Sequence, residues 1–297
     1  MNSARRSPVA LAGKYAILVT LSIIWGLAFV AIKVADSQLS PVNLALLRWL
    51  IASCGFLVLA PLVGKPKVAF ERRDIPRLLV MAFANVVGYH VSLNYAETTV
   101  SAGLAGLLIS FGPVFIVALS VVVLKEKAGR RLVAALCLAL LGAVVLSVGD
   151  LGSSTSIVGP LEVVLTAAFY AVFTILAKPM VHKYGAPPTT IFVGLAGTAM
   201  LLPFAGGSFV SQVRSMNSTG WSAVLYLGLL STVIGYMMFY TLVSRGAVSR
   251  LSIQLYLAPI VSVVGGALLL GETVTAFTLA GGALLLAGVA LATGASK

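Results

Sequence analysis

Residues 112–127, GPVFIVALSVVVLKEK, and residues 258–273, APIVSVVGGALLLGET, lie over one another at a separation of 146 without a gap, placing Pro113 on Pro259 and Glu126 on Glu272. Leucine matches mean little in sequence this apolar, but a proline and a glutamate 13 residues apart in both copies are informative. The register continues through Val117 and Val263, Leu124 and Leu270, Ala134 and Ala280, Leu138 and Leu284, and Gly142 and Gly288. Separations of 145 and 147 extend it, bringing Trp25-Gly26 onto Tyr170-Ala171, Lys33 onto Lys178, and Gly88-Tyr89 onto Gly235-Tyr236. The chain therefore reads as two homologous halves, 1–149 and 150–297.

Of the 297 residues, 60% are hydrophobic and 9% charged, and the mean hydropathy is +1.07, well outside the range of a soluble domain. A bilayer-spanning helix takes about 20 apolar residues. The apolar runs predict ten: Tyr15 to Val34, Pro41 to Leu62, Pro76 to Tyr95, Ser101 to Leu124, Leu132 to Val148, Ile157 to Ala177, Pro188 to Ala205, Trp221 to Val243, Val248 to Leu270 and Thr275 to Thr293. The runs are continuous rather than alternating, which excludes a β-barrel, and they lack a charged face, which excludes soluble amphipathic helices. The expected fold is an all-α integral membrane protein. Little chain is left for a soluble catalytic domain. Cys54 and Cys137 sit inside apolar runs with no disulfide or metal spacing and read as packing residues; no metal and no cofactor is expected.

With a cytoplasmic N-terminus, 17 of the 20 Lys and Arg residues fall on one side: Arg5, Arg6 and Lys14, then the groups at 65–77, 125–131, 178–183 and 245–250, and Lys297. Lys33 and Arg214 lie opposite, and Arg48 lies within a span. The positive-inside rule thus places both termini in the cytoplasm. Five spans per half is an odd number, so the second half enters the membrane from the opposite side and the repeat is inverted. Two such halves exchanging conformations is the basis of alternating access. The net charge of +12 reads as orientation and contact with anionic headgroups, so the bilayer and a small-molecule substrate are the expected partners and nucleic acid is not. Arg5 and Arg6 precede an apolar run as in a signal peptide, but Trp25 and Lys33 within that run, and no small-residue cleavage site, predict that it stays in the mature chain.

The stretch SIIWGLAFVAIKVADSQLSPVNLALLRWLIAS, Ser22 to Ser53, together with 112–127 and 258–273, resembles the EamA-type repeat of the drug/metabolite transporter superfamily, ten-helix branch. The resemblance covers both halves. It implies an exporter of amino acids or other small metabolites, multi-pass in a bacterial inner membrane, with related branches carrying sugar nucleotides or triose phosphates. For Arg48 it implies a structural or gating role. The second half departs from the pattern, with Gly194 or a neighbour where the first has Arg48.

A substrate path must be lined by polar or aromatic groups turned from lipid. Asn85, Tyr89 and Ser92 recur at i, i+4 and i+7 in the third span; Thr232, Tyr236 and Tyr240 form a similar stripe at i, i+4 and i+8 in the eighth. Pore lining and interhelical hydrogen bonding are both open for these. Trp25 and Tyr170 occupy equivalent mid-span sites and would stack on a planar or apolar substrate or pack the bundle. Phe29, Phe111, Phe173, Phe239 and Tyr256 would extend such a lining. Pro113 and Pro259 free carbonyls in mid-membrane, which beside Ser110 or Gln254 would receive a substrate ammonium, and their kinks are hinge candidates against the alternative of a static bend. Glu126 and Glu272 follow the kinked spans and are gate or cap candidates, or else solvated loop charges. Glu162, one turn into the sixth span, and His90 are the coupling candidates, against snorkelling and a satisfied structural histidine.

The expected function is secondary export of small metabolites, amino acids foremost, aromatic and other uncharged ones among them. The unit is read as a monomer. A carrier of sugar nucleotides or phosphate esters would need several converging cations, and a drug-like cation exporter a central acid. No phosphate-binding loop, HExxH or GxSxG is present, which argues against a primary pump and an intramembrane enzyme.

Overall fold

The computed structural model describes residues 8–62, 68–112, 114–116, 130–150, 157–244 and 252–294. Among these the regular structure is helical: α1 (Pro8–Asp36), α2 (Pro41–Leu59), α3 (Arg72–Glu97), α4 (Ala102–Leu108), α5 (Arg130–Asp150), α6 (Val158–Tyr184), α7 (Ala186–Leu201), α8 (Phe209–Ser215), α9 (Ser218–Leu242), α10 (Ser252–Leu270) and α11 (Ala276–Gly294). Six helices, Ala16–Asp36, α2, α3, α6, Ala186–Phe204 and α9, are long and apolar enough to cross a membrane; Val133–Val148, Leu257–Leu270 and Ala276–Leu291 are shorter apolar helices. The elements differ from the sequence reading chiefly at their ends, the first helix beginning at Pro8 rather than Tyr15 and the sixth running on to Tyr184 rather than Ala177. The third helix runs to Glu97 rather than ending at Tyr95, and the short helix α8 occupies a connection read as loop.

Local chemistry sets the boundaries. Pro41 starts α2 at a position whose N–H has no intrahelical partner. Ser101 caps α4, its hydroxyl accepting from Leu104 N at 3.1 Å, and Asn217 caps α9 by accepting from Gly220 N at 2.9 Å. Between α6 and α7 the chain reverses at Gly185, whose φ of 96° is open to glycine at little cost.

The polarity of the bundle is that of a protein in hydrocarbon. Leu57, Val58, Leu62, Leu268 and Leu279 are exposed, whereas Asn43, Arg48, Asn85, His90, Asn94, Glu97 and Thr232 are buried. Such an apolar exterior would aggregate in water and is solvated by lipid. The chain is an integral, multi-pass membrane protein. Cys54 and Cys137, expected in the packing, stand on this exterior with free thiols; the apolar runs that hide a cysteine from water do not hide it from lipid.

Contacts recur when the two halves are exchanged. A Cβ on Gly142 would lie 2.4 Å from Leu285 N, and one on Gly288 2.5 Å from Ala139 N, and these two pairs are each other's repeat images. Ser53 and Thr198, 145 residues apart, meet at 2.9 Å between their hydroxyl oxygens, a residue touching its own counterpart. Contacts of this reciprocal kind define a two-fold relation. It passes between α2 and α7 and between α5 and α11.

At one end of the bundle Lys183 Nζ bonds Asp74 Oδ2 and Glu71 Oε1, both at 2.6 Å, and Tyr184 donates to Asp74 Oδ2 at 2.6 Å, tying the start of α3 to the end of α6. Asp74→Ala is expected to cost about 1–2 kcal/mol, read as a lower thermal midpoint of detergent-solubilised protein; an unchanged midpoint would show that the packing of Phe70 on Tyr184 suffices. The hydrogen bond from Lys183 holds the Glu71 carboxyl below its ordinary range. Its stabilisation is therefore present at neutral pH and is lost as pH falls through that lowered value.

Candidate functional site

Midway along the bundle, α1, α2, α3, α6, α9 and α10, with the turn after α4, line a partly open cavity with about 70 Å³ of free room. Trp25, Phe29, Tyr89, Tyr170, Phe173 and Tyr236 make most of the wall; Arg48, His90, Ser110 and Ser231 supply its polar groups. Trp25 is fixed by donating from Nε1 to Ser231 O at 3.0 Å and stacks obliquely on Tyr236 with centroids 5.5 Å apart.

Two helices reach the cavity through π-helical stretches, Phe83–Tyr89 in α3 and Tyr226–Ile234 in α9. They occupy equivalent places in the two halves. Such turns add a residue to the helical repeat and free carbonyls from the ladder. Asn85 O accepts from His90 Nδ1 at 2.8 Å, and Leu227 O accepts from Thr232 Oγ1 at 2.7 Å, each across five residues. Because a carbonyl only accepts, Nδ1 carries the hydrogen, and in the neutral ring Nε2 is an acceptor. Nε2 is buried without a partner.

Arg48 is 4% exposed on the cavity wall. Its Nε donates to Thr232 Oγ1 at 2.8 Å and one terminal nitrogen to Ser231 Oγ at 3.0 Å. Among the described residues no carboxylate lies within ion-pair distance of it. The hydroxyls hold the guanidinium plane while its charge is left for something else. Its burial keeps the guanidinium out of contact with lipid.

The remaining candidates separate. Pro259 lines the cavity with Trp25, Tyr89, Tyr170, Tyr236, His90 and Ser110. Asn85 stands behind the wall, its Oδ1 accepting from Tyr236 at 2.7 Å, and Thr232 stands behind Arg48. Ser92 turns away to Gly88 O and to Thr166 at 2.7 Å, and Tyr240 is buried in the packing with no partner for its hydroxyl. Glu162 is half-buried and off the cavity. Glu272 accepts from Ala102 N at 2.7 Å and Gly103 N at 3.0 Å, covering the start of α4. Pro113, Glu126 and the side chains of Gln254 and Tyr256 lie outside the described residues. Phe29 and Phe173 line the cavity; Phe111 packs on Phe115 and Phe239 on Trp25.

Sequence reading passed over one cluster. At the end of the bundle opposite Asp74, Lys33 Nζ donates to Glu97 O at 2.5 Å and Val100 O at 2.8 Å, beside Asp36 and Glu97, whose carboxylate oxygens are buried without partners.

The model of the EamA-like transporter family matches twice, over residues 13–148 and 157–294. The chain belongs to this family. Among EamA-like relatives, an uncharacterized transporter of Archaeoglobus fulgidus is 33% identical, covering 93% of this chain and 97% of that protein. A probable terminal-alkyne amino-acid exporter of Streptantibioticus cattleyicolor is 32% identical over 92% and 91%, and a probable amino-acid metabolite efflux pump of Salmonella typhimurium 28% over 90% of each. A crystal structure at 20% identity covers 95% of this chain and 96% of its own with a TM-score of 0.64, a likeness of fold.

Proposed function

We propose that this EamA-like transporter is a secondary exporter of amino acids, aromatic and other uncharged ones foremost. The observation that carries the reading is Arg48, a buried guanidinium held by Ser231 and Thr232 at the wall of a cavity lined mainly by aromatic and aliphatic side chains, with no carboxylate partner among the described residues. A substrate carboxylate completes that arginine. The aromatic rings take an apolar side chain, and His90 Nε2 offers an acceptor to an ammonium. Relatives named amino-acid exporters and efflux pumps support the substrate class.

The same wall disfavours the alternatives. A sugar nucleotide or phosphate ester calls for several cations, and Arg48 is alone among the lining residues; an organic cation calls for an acid, and the lining holds none. Ten spans in two inverted halves, 1–149 and 150–297, with both termini cytoplasmic in a bacterial inner membrane, complete the proposal. The reciprocal contacts between the halves and the placement of basic residues support that arrangement. A monomer working in lipid, with neither nucleic acid nor catalysis involved, completes the reading.

Purified protein in proteoliposomes is expected to take up labelled Phe, Tyr, Trp, Met or Thr saturably and to leave Glu behind. Activity confined to nucleotide sugars or organic cations would overturn the substrate class.

A further inference from the structure

The cavity lining continues beyond the cavity. Ile32 and Leu93 line it, and four residues on, over the same helix faces, stand Asp36 and Glu97. Glu97 is fully buried, and none of the four carboxylate oxygens of the two residues has a hydrogen-bond partner. Asn94 Oδ1, one turn before Glu97, also lacks a donor. The charged groups facing Glu97 are Asp36 and Lys33 of α1, Glu272 after α10 and Arg48 of α2.

Apart from those of Asp36, their hydrogen bonds are committed elsewhere. Lys33 donates to two main-chain carbonyls, Glu272 accepts from the two N–H groups of Ala102 and Gly103, and Arg48 is held by Ser231 and Thr232. Five buried acceptor oxygens remain. Two carboxylates against the single ammonium of Lys33 would leave an unbalanced negative charge, and a buried charge without donors is not tolerated. The site lacks one positive charge and one donor in a closed volume. A proton supplies both in the smallest space.

We propose that Asp36 and Glu97 form a proton-binding pair at the end of the substrate path, releasing the proton when that end opens. In the closed form one carboxyl O–H donates to the other carboxylate. Opening admits water, the O–H bond breaks to the solvent, and Lys33 leaves its carbonyls to pair with the carboxylates. Substrate and proton then share one gate. The coupling rests on the transporter reading above, whereas proton binding does not.

Infrared spectra of the full-length protein in phosphatidylcholine vesicles, between about pH 5 and pH 9, test the site without a substrate. Wild type is expected to show a neutral carboxylic-acid band that bleaches as pH rises, Glu97→Gln to lose it, and Asp36→Asn to shift its midpoint. A wild type without the band, or a band unchanged in both variants, overturns the proposal. In proteoliposomes with labelled phenylalanine, a pH gradient should stimulate wild-type movement several-fold and that ratio should fall to about one in Glu97→Gln. Equal stimulation in both, or stimulation by a sodium gradient instead, overturns the coupling. A wild type that moves no amino acid defeats the substrate reading alone and leaves the infrared result to decide the site.

Discussion

Arg48→Met is expected to lower kcat/KM for phenylalanine by about 30-fold or more, because truncating a buried, hydrogen-bonded charge that meets a charged partner costs about 2–5 kcal/mol. The variant should still fold. Methionine approximates the volume of the arginine stem, removes a charge that has no carboxylate partner among the described residues, and leaves Thr232 bonded to Leu227 O. Its thermal midpoint should match or exceed that of wild type. Arg48→Lys keeps the charge but cannot hold both Ser231 and Thr232 in one plane, so an intermediate loss of about tenfold is expected. Wild type should also prefer phenylalanine to phenethylamine, which lacks the carboxylate, and Arg48→Met should lose that preference. A variant that unfolds yet transports normally per folded molecule would make Arg48 a structural residue and remove the main support for the amino-acid reading.

The gross architecture was legible because it rests on strong, redundant signals. Continuous apolar runs and the Pro/Glu register of the two halves give helices and repeats that the family model also finds. Position within the bundle was harder to read. Tyr89 and Tyr236 reach the cavity as bulky rings, but the helical spacing that grouped Asn85 with Ser92, seven residues on, and Thr232 with Tyr240, eight residues on, assumes an unbroken α-helix. The π stretches change the turn within those segments. Ser92 consequently faces Thr166, and Asn85 and Thr232 support the wall from behind. Glu97 was missed for another reason. Hydropathy ends a span at its first charge, whereas the helix carries Glu97 on past Tyr95 into a buried position. Ser53 and Thr198 gave no sign of meeting, since a hydroxyl in an apolar run usually bonds its own helix.

The site and the symmetry meet in one mechanical requirement. For two related halves to exchange conformations, some contacts must persist while those around the cavity change. The contact between α5 and α11 is suited to persist, since glycine-mediated backbone approach leaves no side chain to repack. The contact of Trp25 with Ser231 and Tyr236 is suited to change, because it consists of one hydrogen bond and tilted rings around open space.

Gly142→Ala should accordingly be among the most damaging small substitutions in the chain. Alanine adds about 1 kcal/mol of helix propensity over glycine, which on an open surface would stabilise. Here the added Cβ would lie 2.4 Å from Leu285 N and 2.8 Å from Gly281 O, both main-chain atoms that no rotamer change can move. The helices must separate, at an expected net cost of about 3 kcal/mol. The measurement is the thermal midpoint in detergent, with Gly207→Ala, which meets nothing within 4 Å, as the neutral comparison. Gly288→Ala, with its Cβ 2.5 Å from Ala139 N, should cost about as much, because it is the same contact seen from the other half. The double variant should then cost less than the two singles together, since helices pushed apart by the first methyl have room for the second. Strict additivity would mean that the two sites relax independently and would refute a single rigid contact on the two-fold relation between the halves.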